Sequence, residues 1–453
     1  KFFFHLDISM LGLLPLLPVG LSATLTAASA PPPAAALRLG GSDKPTVWSE
    51  FGALAAENPG AVNLGQGFPD WSPPDFVVAE AHAALEQGFH QYTRPAGHPS
   101  LASVLASRYS RHLGREVDAM TEVAITVGAS QALFLTLQAL LDPGDEVILL
   151  EPAFDLYYGQ IRLAGGTAVP VPLQLDEQES QWRLDADALD AAVGPRTKFI
   201  VLNSPHNPTG KVFSAGEMEA IAEVVRRHPR VLVISDEVYK YIVHGEEASH
   251  QHFAALPGMG ERTVTISSAG KTFSITGWQV GWCVGPPALV QPIQRLLPFV
   301  QFCVSTPMQQ ALGRVLSLAD EPYRGKPSYY SWLCDMYADK RATLAAGLEA
   351  AGMRPLQGEG GFFLMADTSA IEVPQRFLQH TTPAAPLMTR DWALCRMLAL
   401  EAGVIAIPCS PFYSAANKKR GEHLVRFAFC KSDETLRAAS ARLEGFVAAS
   451  RGR

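Results

Sequence analysis

The feature that most constrains this chain is an alternation running from Glu122 to Val284. Short apolar runs rich in β-branched residues occur at 123–127, 146–150, 168–173, 198–202, 231–235, 264–267 and 280–284. Several of the gaps between them carry apolar residues at helical spacing. In 129–141, Leu133, Leu137, Leu140 and Leu141 fall on one helix face, and 215–228 repeats the pattern. Apolar strands joined by helices predict an α/β fold, a mostly parallel seven-stranded sheet covered by helices on both faces. Ligands of such sheets collect at the carboxyl ends of the strands. From about Glu321 the rhythm changes to helical segments (337–351, 392–402) and two short strands (362–366, 424–430). That pattern predicts a smaller α+β domain.

Composition narrows the function classes. With 47% hydrophobic and 18% charged side chains over 453 residues, the chain can bury the core such a sheet needs. Its net charge of −7 supplies no broadly basic surface, so no nucleic-acid partner is expected. The six cysteines are Cys283, Cys303, Cys334, Cys395, Cys409 and Cys430. They form no CxxC pair, and they read as reduced, mostly buried thiols in a reducing compartment, with no metal site expected. The segment from Ile8 to Leu37 is uncharged, but Pro15, Pro18 and Pro31 to Pro33 interrupt it, so no membrane span is expected. A targeting segment and a disordered tail are the two readings of residues 1–44. Cytoplasm, mitochondrion and plastid therefore all stay open.

Five features carry chemistry. Lys271 is the only charged residue between Arg262 and Arg295, and it follows a candidate buried strand. Most loop lysines simply reach water, but burial disfavours the ammonium and leaves a nucleophilic amine suited to Schiff-base formation. Asp236 ends another strand, with Tyr239 three residues on. An acid there is commonly a helix cap; the functional alternative is a carboxylate aimed at a protonated heterocyclic nitrogen. Asn207 lies in the turn Asn203–Gly210 after a third strand, where His206 reads as structural. Gly128, Ala129 and Ser130 join a strand to a helix whose first amides can hold a phosphate. Arg426 stands inside an apolar strand, and an inward arginine there calls for an anion such as a carboxylate.

In chain order these features describe one site, and the sequence resembles the fold type I, pyridoxal-phosphate-dependent class I aminotransferases. The likeness runs from about Pro45 to the C-terminus and rests on NPTGK (207–211), DEVY (236–239), SSAGKTFSITGW (267–278) and VRFAF (425–429). Further motifs resemble the kynurenine aminotransferase branch: LGQGFPDW (64–71), QYTRPAGHP (91–99), EPAFDLYY (151–158), LPGMGERT (256–263) and AIPCSPFYS (406–414). That branch also carries glutamine transaminase and cysteine-S-conjugate β-lyase activities.

The resemblance implies pyridoxal 5'-phosphate as cofactor, with Lys271 as Schiff-base lysine and proton shuttle. Asp236 would meet the pyridine nitrogen, Asn207 and Tyr239 the ring hydroxyl, and Phe154 the ring face. Gly128, Ala129, Ser130 and Ser268 would hold the phosphate, with Tyr92 given by a partner subunit of a homodimer. Gly65, Asn207 and Arg426 would hold a substrate carboxylate, and Trp48 would shape an aromatic pocket. The implied division is 45–80 and 321–453 for the small domain and 81–320 for the large cofactor-binding domain. The implied reaction moves an amino group from an aromatic or sulfur amino acid (kynurenine, glutamine, methionine or phenylalanine type) to a 2-oxo acid.

Three positions depart from the branch. Ser130 stands where the branch has an aromatic residue, and Gln279 where it has a basic one. The segment 302–306 lacks the aromatic and histidine side chains that would face the neighbouring site, which counts against a kynurenine preference. Two other readings are predominant β-elimination and a cofactor-binding regulator without turnover. The second usually brings a DNA-binding domain, and the 44 residues before Pro45 are too apolar and proline-rich to be one.

Overall fold

The computed structural model describes Ala36, Leu39, residues 45–245 and residues 248–451. The expectations for the N-terminal segment therefore lie outside the described residues, apart from those two. Seven strands form the main sheet: β1 Val123–Val127, β2 Glu146–Glu151, β3 Thr167–Pro172, β4 Thr197–Asn203, β5 Leu232–Asp236, β6 Thr263–Ser268 and β7 Val280–Val284. Their order across the sheet is β1-β7-β6-β5-β4-β2-β3. All neighbours pair in parallel except β7, which runs antiparallel to both β1 and β6. The alternation along the chain thus becomes the expected α/β sheet.

Each strand is apolar on both sides because both faces are covered. Ile148, Leu150, Ile200, Leu202 and Val233 belong to one core layer; Val147, Leu149, Val201, Ile234 and Ile266 belong to the other. Helix α1 (Gly128–Leu140) buries Leu133 and Leu137 in the second layer. Truncating either to alanine would cost about 2–5 kcal/mol. Helix α2 (Ala215–Arg227) covers the other face and starts with a capping box between Ser214 and Glu217.

A second sheet contains β8 Arg354–Pro355, β9 Phe363–Asp367, β10 Ile407–Pro408 and β11 Leu424–Ala428, in the order β8-β9-β11-β10. Only β9 and β11 are legible in the sequence. The other two are two residues long and each contains a proline, which leaves no periodicity to read. The helix expected at 337–351 begins earlier, as Tyr329–Ala350, where the Ser328 side chain accepts from the Ser331 amide. Its first turn is aromatic, and Tyr329 stacks on Phe273, so packing rather than periodicity sets that end. The helix expected at 392–402 spans Arg390–Met397, widens into a π-helical turn over Leu398–Ala402, and stops at Gly403 with φ +66°. Residues Val62–Asn63 pair in parallel with Val404–Ile405, tying the early chain to the late one. None of the described helices is long and apolar enough to cross a membrane.

Candidate active site

A cavity of about 480 Å³ opens at the carboxyl ends of the sheet strands. Its walls bring together residues far apart in sequence, including Gly128, Ala129, Ser130, Phe154, Asn207, Asp236, Tyr239, Ser268, Lys271, Trp48 and Arg426. Thirteen positions were singled out from sequence as site residues, and eleven of them line this one cavity. Gly65 and Tyr92 do not.

The strand ends explain the convergence. Asp236 is the last residue of β5, Asn203 the last of β4, and the two are register partners. Asn203 Nδ2 donates to the Asp236 carbonyl at 3.0 Å, and its Oδ1 accepts the Asn207 amide at 2.8 Å. That pair of bonds fixes the turn that carries Asn207. His206 is buried in the same turn, where its ring meets Thr209 Oγ1 at 2.8 Å; burial pushes its pKa down to about 3, so it stays neutral. It holds the turn, in line with its structural reading.

Asp236 is buried among apolar walls, and burial raises its carboxyl to about 6. Its partners among the described residues are the Tyr157 hydroxyl, which donates at 2.7 Å, and the Val238 amide at 3.3 Å. Lys271 sits after β6, with Nζ 3.2 Å from the Gly67 carbonyl oxygen and between the rings of Phe362 (5.4 Å) and Tyr239 (5.9 Å). Burial lowers its pKa; Arg426 lowers it further, while Cys430 and Asp236 oppose the shift. The result is an amine that gives up its proton more readily than a surface lysine does.

At the other end of the cavity, α1 begins directly behind β1. Gly128 has φ +69°, and Gly128, Ala129 and Ser130 of the first turn, whose amides have no partner inside the helix, line the opening. The strand beneath is close: a methyl at Gly281 would lie 2.4 Å from the Gly128 carbonyl carbon. Gln279 also adopts a left-handed backbone (φ +52°) and donates through Nε2 to the Thr276 carbonyl at 2.5 Å. Its Oε1 lies 2.6 Å from where a Gly128 Cβ would stand, so this amide borders the helix start. Lys271 and Arg426 are the cations on the cavity wall among the described residues.

Arg426 comes from β11 of the second sheet. Its Nη1 donates to Asn207 Oδ1 and its Nη2 to the Gly65 carbonyl, both at 3.0 Å, while Nε is buried without a partner. The guanidinium lies 3.9 Å from the Phe363 ring centroid and 5.2 Å from that of Trp48. Burial lowers its pKa to about 10, against the pull of Tyr239, Cys409 and Asp155. Trp48 donates from its indole nitrogen to Asp155 Oδ2 at 2.7 Å and meets Phe154 edge-on. Gly65 is off the cavity wall, and its amide already donates to Asn63 Oδ1 at 3.0 Å. It steadies Arg426 instead of facing the opening. Tyr92 is 80% exposed, with its ring against Phe302 at 4.7 Å.

Among the cavity residues not singled out from sequence are three polar ones that shape the site, Tyr157, Asn203 and Asp155. Tyr157 and Asp155 stand inside the EPAFDLYY motif, whose only marked residue was Phe154. Asn203 follows a strand just as Asp236 does, which is a signal that sequence reading can use.

A doubly covered, mostly parallel sheet thus places a buried lysine, an acid at a strand end and a helix start around one cavity. The chain belongs to the aminotransferase class I and II family, whose model matches residues 59–443. It is 45% identical over 412 residues to a Dictyostelium discoideum kynurenine–oxoglutarate transaminase, covering 87% of this chain and 92% of the relative. Human kynurenine–oxoglutarate transaminase 3 is 39% identical over 411 residues, with 89% and 88% covered. Among solved structures, N-succinyldiaminopimelate aminotransferase from Mycobacterium tuberculosis aligns with TM-score 0.80 at 38% identity, covering 91% of this chain and all of that one. The Escherichia coli protein YbdL, identified with a methionine aminotransferase function, aligns with TM-score 0.80 at 33% identity over 91% of this chain and all of its own.

Proposed function

We propose that this transaminase uses pyridoxal 5'-phosphate to move an amino group from a kynurenine-type aromatic or sulfur amino acid to a 2-oxo acid such as oxoglutarate. The observation that carries this reading is the placement of Lys271, Asp236, Asn207 and Arg426 on one cavity wall. The cavity suits the cofactor. It offers a helix start for a phosphate, an aromatic wall in Phe154, and a buried carboxylate in Asp236 whose bonded partners are uncharged. When bound, the cofactor supplies an electron sink for the pair left at the substrate Cα after deprotonation.

The residues of this chain do the rest. Asp236 would favour a protonated ring nitrogen by ion pairing, and the Tyr157 hydroxyl, which donates to its Oδ2, holds the carboxylate in place. Asn207 and Tyr239 would hold the ring hydroxyl, and Ser268 with the first turn of α1 would hold the phosphate. Arg426 takes the substrate carboxylate. Its buried, unpartnered Nε–H is a donor whose desolvation cost a carboxylate would offset. Lys271 Nζ, with its lowered pKa, would take the proton from the substrate Cα and hand it to the cofactor within one half-reaction, and would carry a proton back to the Cα of the new amino acid in the other. The apolar rings around it exclude water that would otherwise compete for that proton.

The pairing of residues 62–63 with 404–405 supports assigning 45–80 to the domain formed by 321–453, with 81–320 as the cofactor-binding domain. The functional unit is a homodimer: Tyr92 (80% exposed) and Phe299 (87%) leave apolar surface for a second copy to cover. The test is a panel of amino donors against several 2-oxo acids with product analysis. Kynurenine, glutamine, methionine or phenylalanine should lose its amino group only with an acceptor present. Pyruvate and ammonia released from a cysteine S-conjugate without acceptor, faster than any transamination, would make β-elimination the main activity instead.

A further inference from the structure

Behind the cavity wall, on the side of β5 away from it, lies a second group of chemistry-bearing residues that the transaminase reaction does not use. Glu237 is fully buried and directly follows Asp236. His252 Nδ1 lies 2.6 Å from its Oε2, and His250 Nε2 lies 3.2 Å from the same oxygen. Ser235 Oγ donates to Oε1 at 3.1 Å. One ligand atom from each of Glu237, His250 and His252 lies within 4.8 Å of the other two. His250 Nδ1 is buried without a hydrogen-bond partner among the described residues, and its Nε2 has only the 3.2 Å approach to Glu237. Its side chain is 7% exposed, so water does not satisfy it either. An imidazole so placed needs a reason, because an unsatisfied buried nitrogen costs about 1–3 kcal/mol.

We propose that Glu237, His250 and His252 form a binding site for a divalent transition metal of the zinc type. Two imidazoles and one carboxylate are a common zinc donor set, with a fourth position left for water. The two histidines stand two residues apart on one loop and face a strand end, so the metal would staple the loop to β5. Tetrahedral ligands at about 2.0–2.1 Å from zinc stand roughly 3.4 Å apart. His250 is already near that spacing from Glu237, and His252 would withdraw by less than ~1 Å. The His112 ring lies 4.5 Å from that of His252 at the exposed edge, marking the route of entry. Lys240, which donates to Tyr109 Oη at 3.0 Å, adds positive charge to the region and holds affinity below that of a four-ligand structural site. The sequence gives no warning of this group, because its members lie in separate segments and match no metal-binding spacing.

The test uses chelator-treated holoenzyme titrated with zinc chloride alone, followed by calorimetry and by cobalt substitution with visible spectroscopy. One equivalent per chain should bind, and cobalt should give the intense visible band of a tetrahedral site. His250→Ala removes one ligand, and His252→Ala removes the second. Each should weaken binding by at least roughly tenfold, as loss even of supporting residues does in known sites. An unchanged cofactor absorbance in each variant shows that the neighbouring Asp236 is undisturbed. Absence of a one-equivalent site, or equal zinc affinity in wild type and both variants, would overturn the proposal.

Discussion

Asp236 and Glu237 are consecutive, both buried, and both carboxylates at the end of the same strand, yet the fold treats them in opposite ways. Burial raises Asp236 to about 6, and its bonded partners are a neutral phenol and an amide. Burial would also raise Glu237, but the His252 and His250 imidazoles hold it well below the usual carboxylate range. One carboxylate carries its basic partners within its own chain. The other faces a cavity and has bonded partners that stabilise its charge only weakly. The difference teaches where to look for function: a buried acid without its own cation is matched to one that a ligand brings. A buried acid with basic partners already belongs to the architecture, whatever else those partners can hold.

The largest effect should come from the other titratable group that faces the cavity. Lys271→Ala should abolish transamination, a loss of ~10⁴-fold or more, as for other nucleophile deletions. The variant should still fold and should lose the absorbance that the cofactor gives when bonded to the lysine. Near wild-type turnover would remove the basis for reading the cavity as the reaction site. Arg426→Ala comes next. A charge-assisted bidentate contact in a desolvated pocket is worth roughly 2–5 kcal/mol, or about 30- to several thousand-fold in kcat/KM. Amines without a carboxylate should be affected far less, and equal losses for both would show that Arg426 anchors no carboxylate.

The two adjacent carboxylates can be set directly against each other in cofactor-free protein. The folded state prefers Asp236 protonated. Its contribution to stability is complete below about 3.8 and is lost as pH rises through about 6. Asp236→Asn should therefore stabilise the cofactor-free protein at pH 8 by about 1–3 kcal/mol, with the gain fading as pH falls through that window. Glu237 is depressed, so its contribution is present above its ordinary 4.5 and is lost in acid. Glu237→Gln should destabilise at pH 8 by roughly 1–3 kcal/mol. Denaturant midpoints that move in the same direction for both variants would erase the contrast. The smallest effect concerns Gln279, whose amide borders the α1 start where a cation would meet a phosphate. Gln279→Arg or Gln279→Lys should tighten cofactor binding about fivefold, by about 1 kcal/mol, with little change in kcat at saturating cofactor. Unchanged or poorer binding in both variants would mean that another cation, such as Arg94 across the dimer, already balances the phosphate.

Much of the fold and of the cavity wall was legible because it rests on local signals. The seven sheet strands are apolar runs of adequate length, and Lys271 and Asp236 stand out by isolation and by position after a strand. What escaped depends on contacts distant in sequence. Tyr157 matters only because it reaches Asp236, and two strands of the second sheet exist only because a longer neighbour pairs with them. Gly65 was expected to help hold a substrate carboxylate; its bonds to Asn63 Oδ1 and Arg426 Nη2 are contacts that sequence does not reveal. The Glu237 group shows the same limit, since twelve residues stand between the acid and the first of its histidines.

The central claim is that Asp236 is completed by a cation on the cofactor ring. The most direct measurement is a binding cycle on cofactor-free wild type and Asp236→Asn. Each is titrated with pyridoxal phosphate and with its 1-deaza analogue, in which CH replaces the ring nitrogen. A charged hydrogen bond is worth about 1.5–3 kcal/mol, so wild type should prefer the nitrogen-containing ring by at least ~10-fold. Asp236→Asn should lose most of that preference. An equal preference in both proteins would contradict the account, because the ring nitrogen would then find its partner elsewhere.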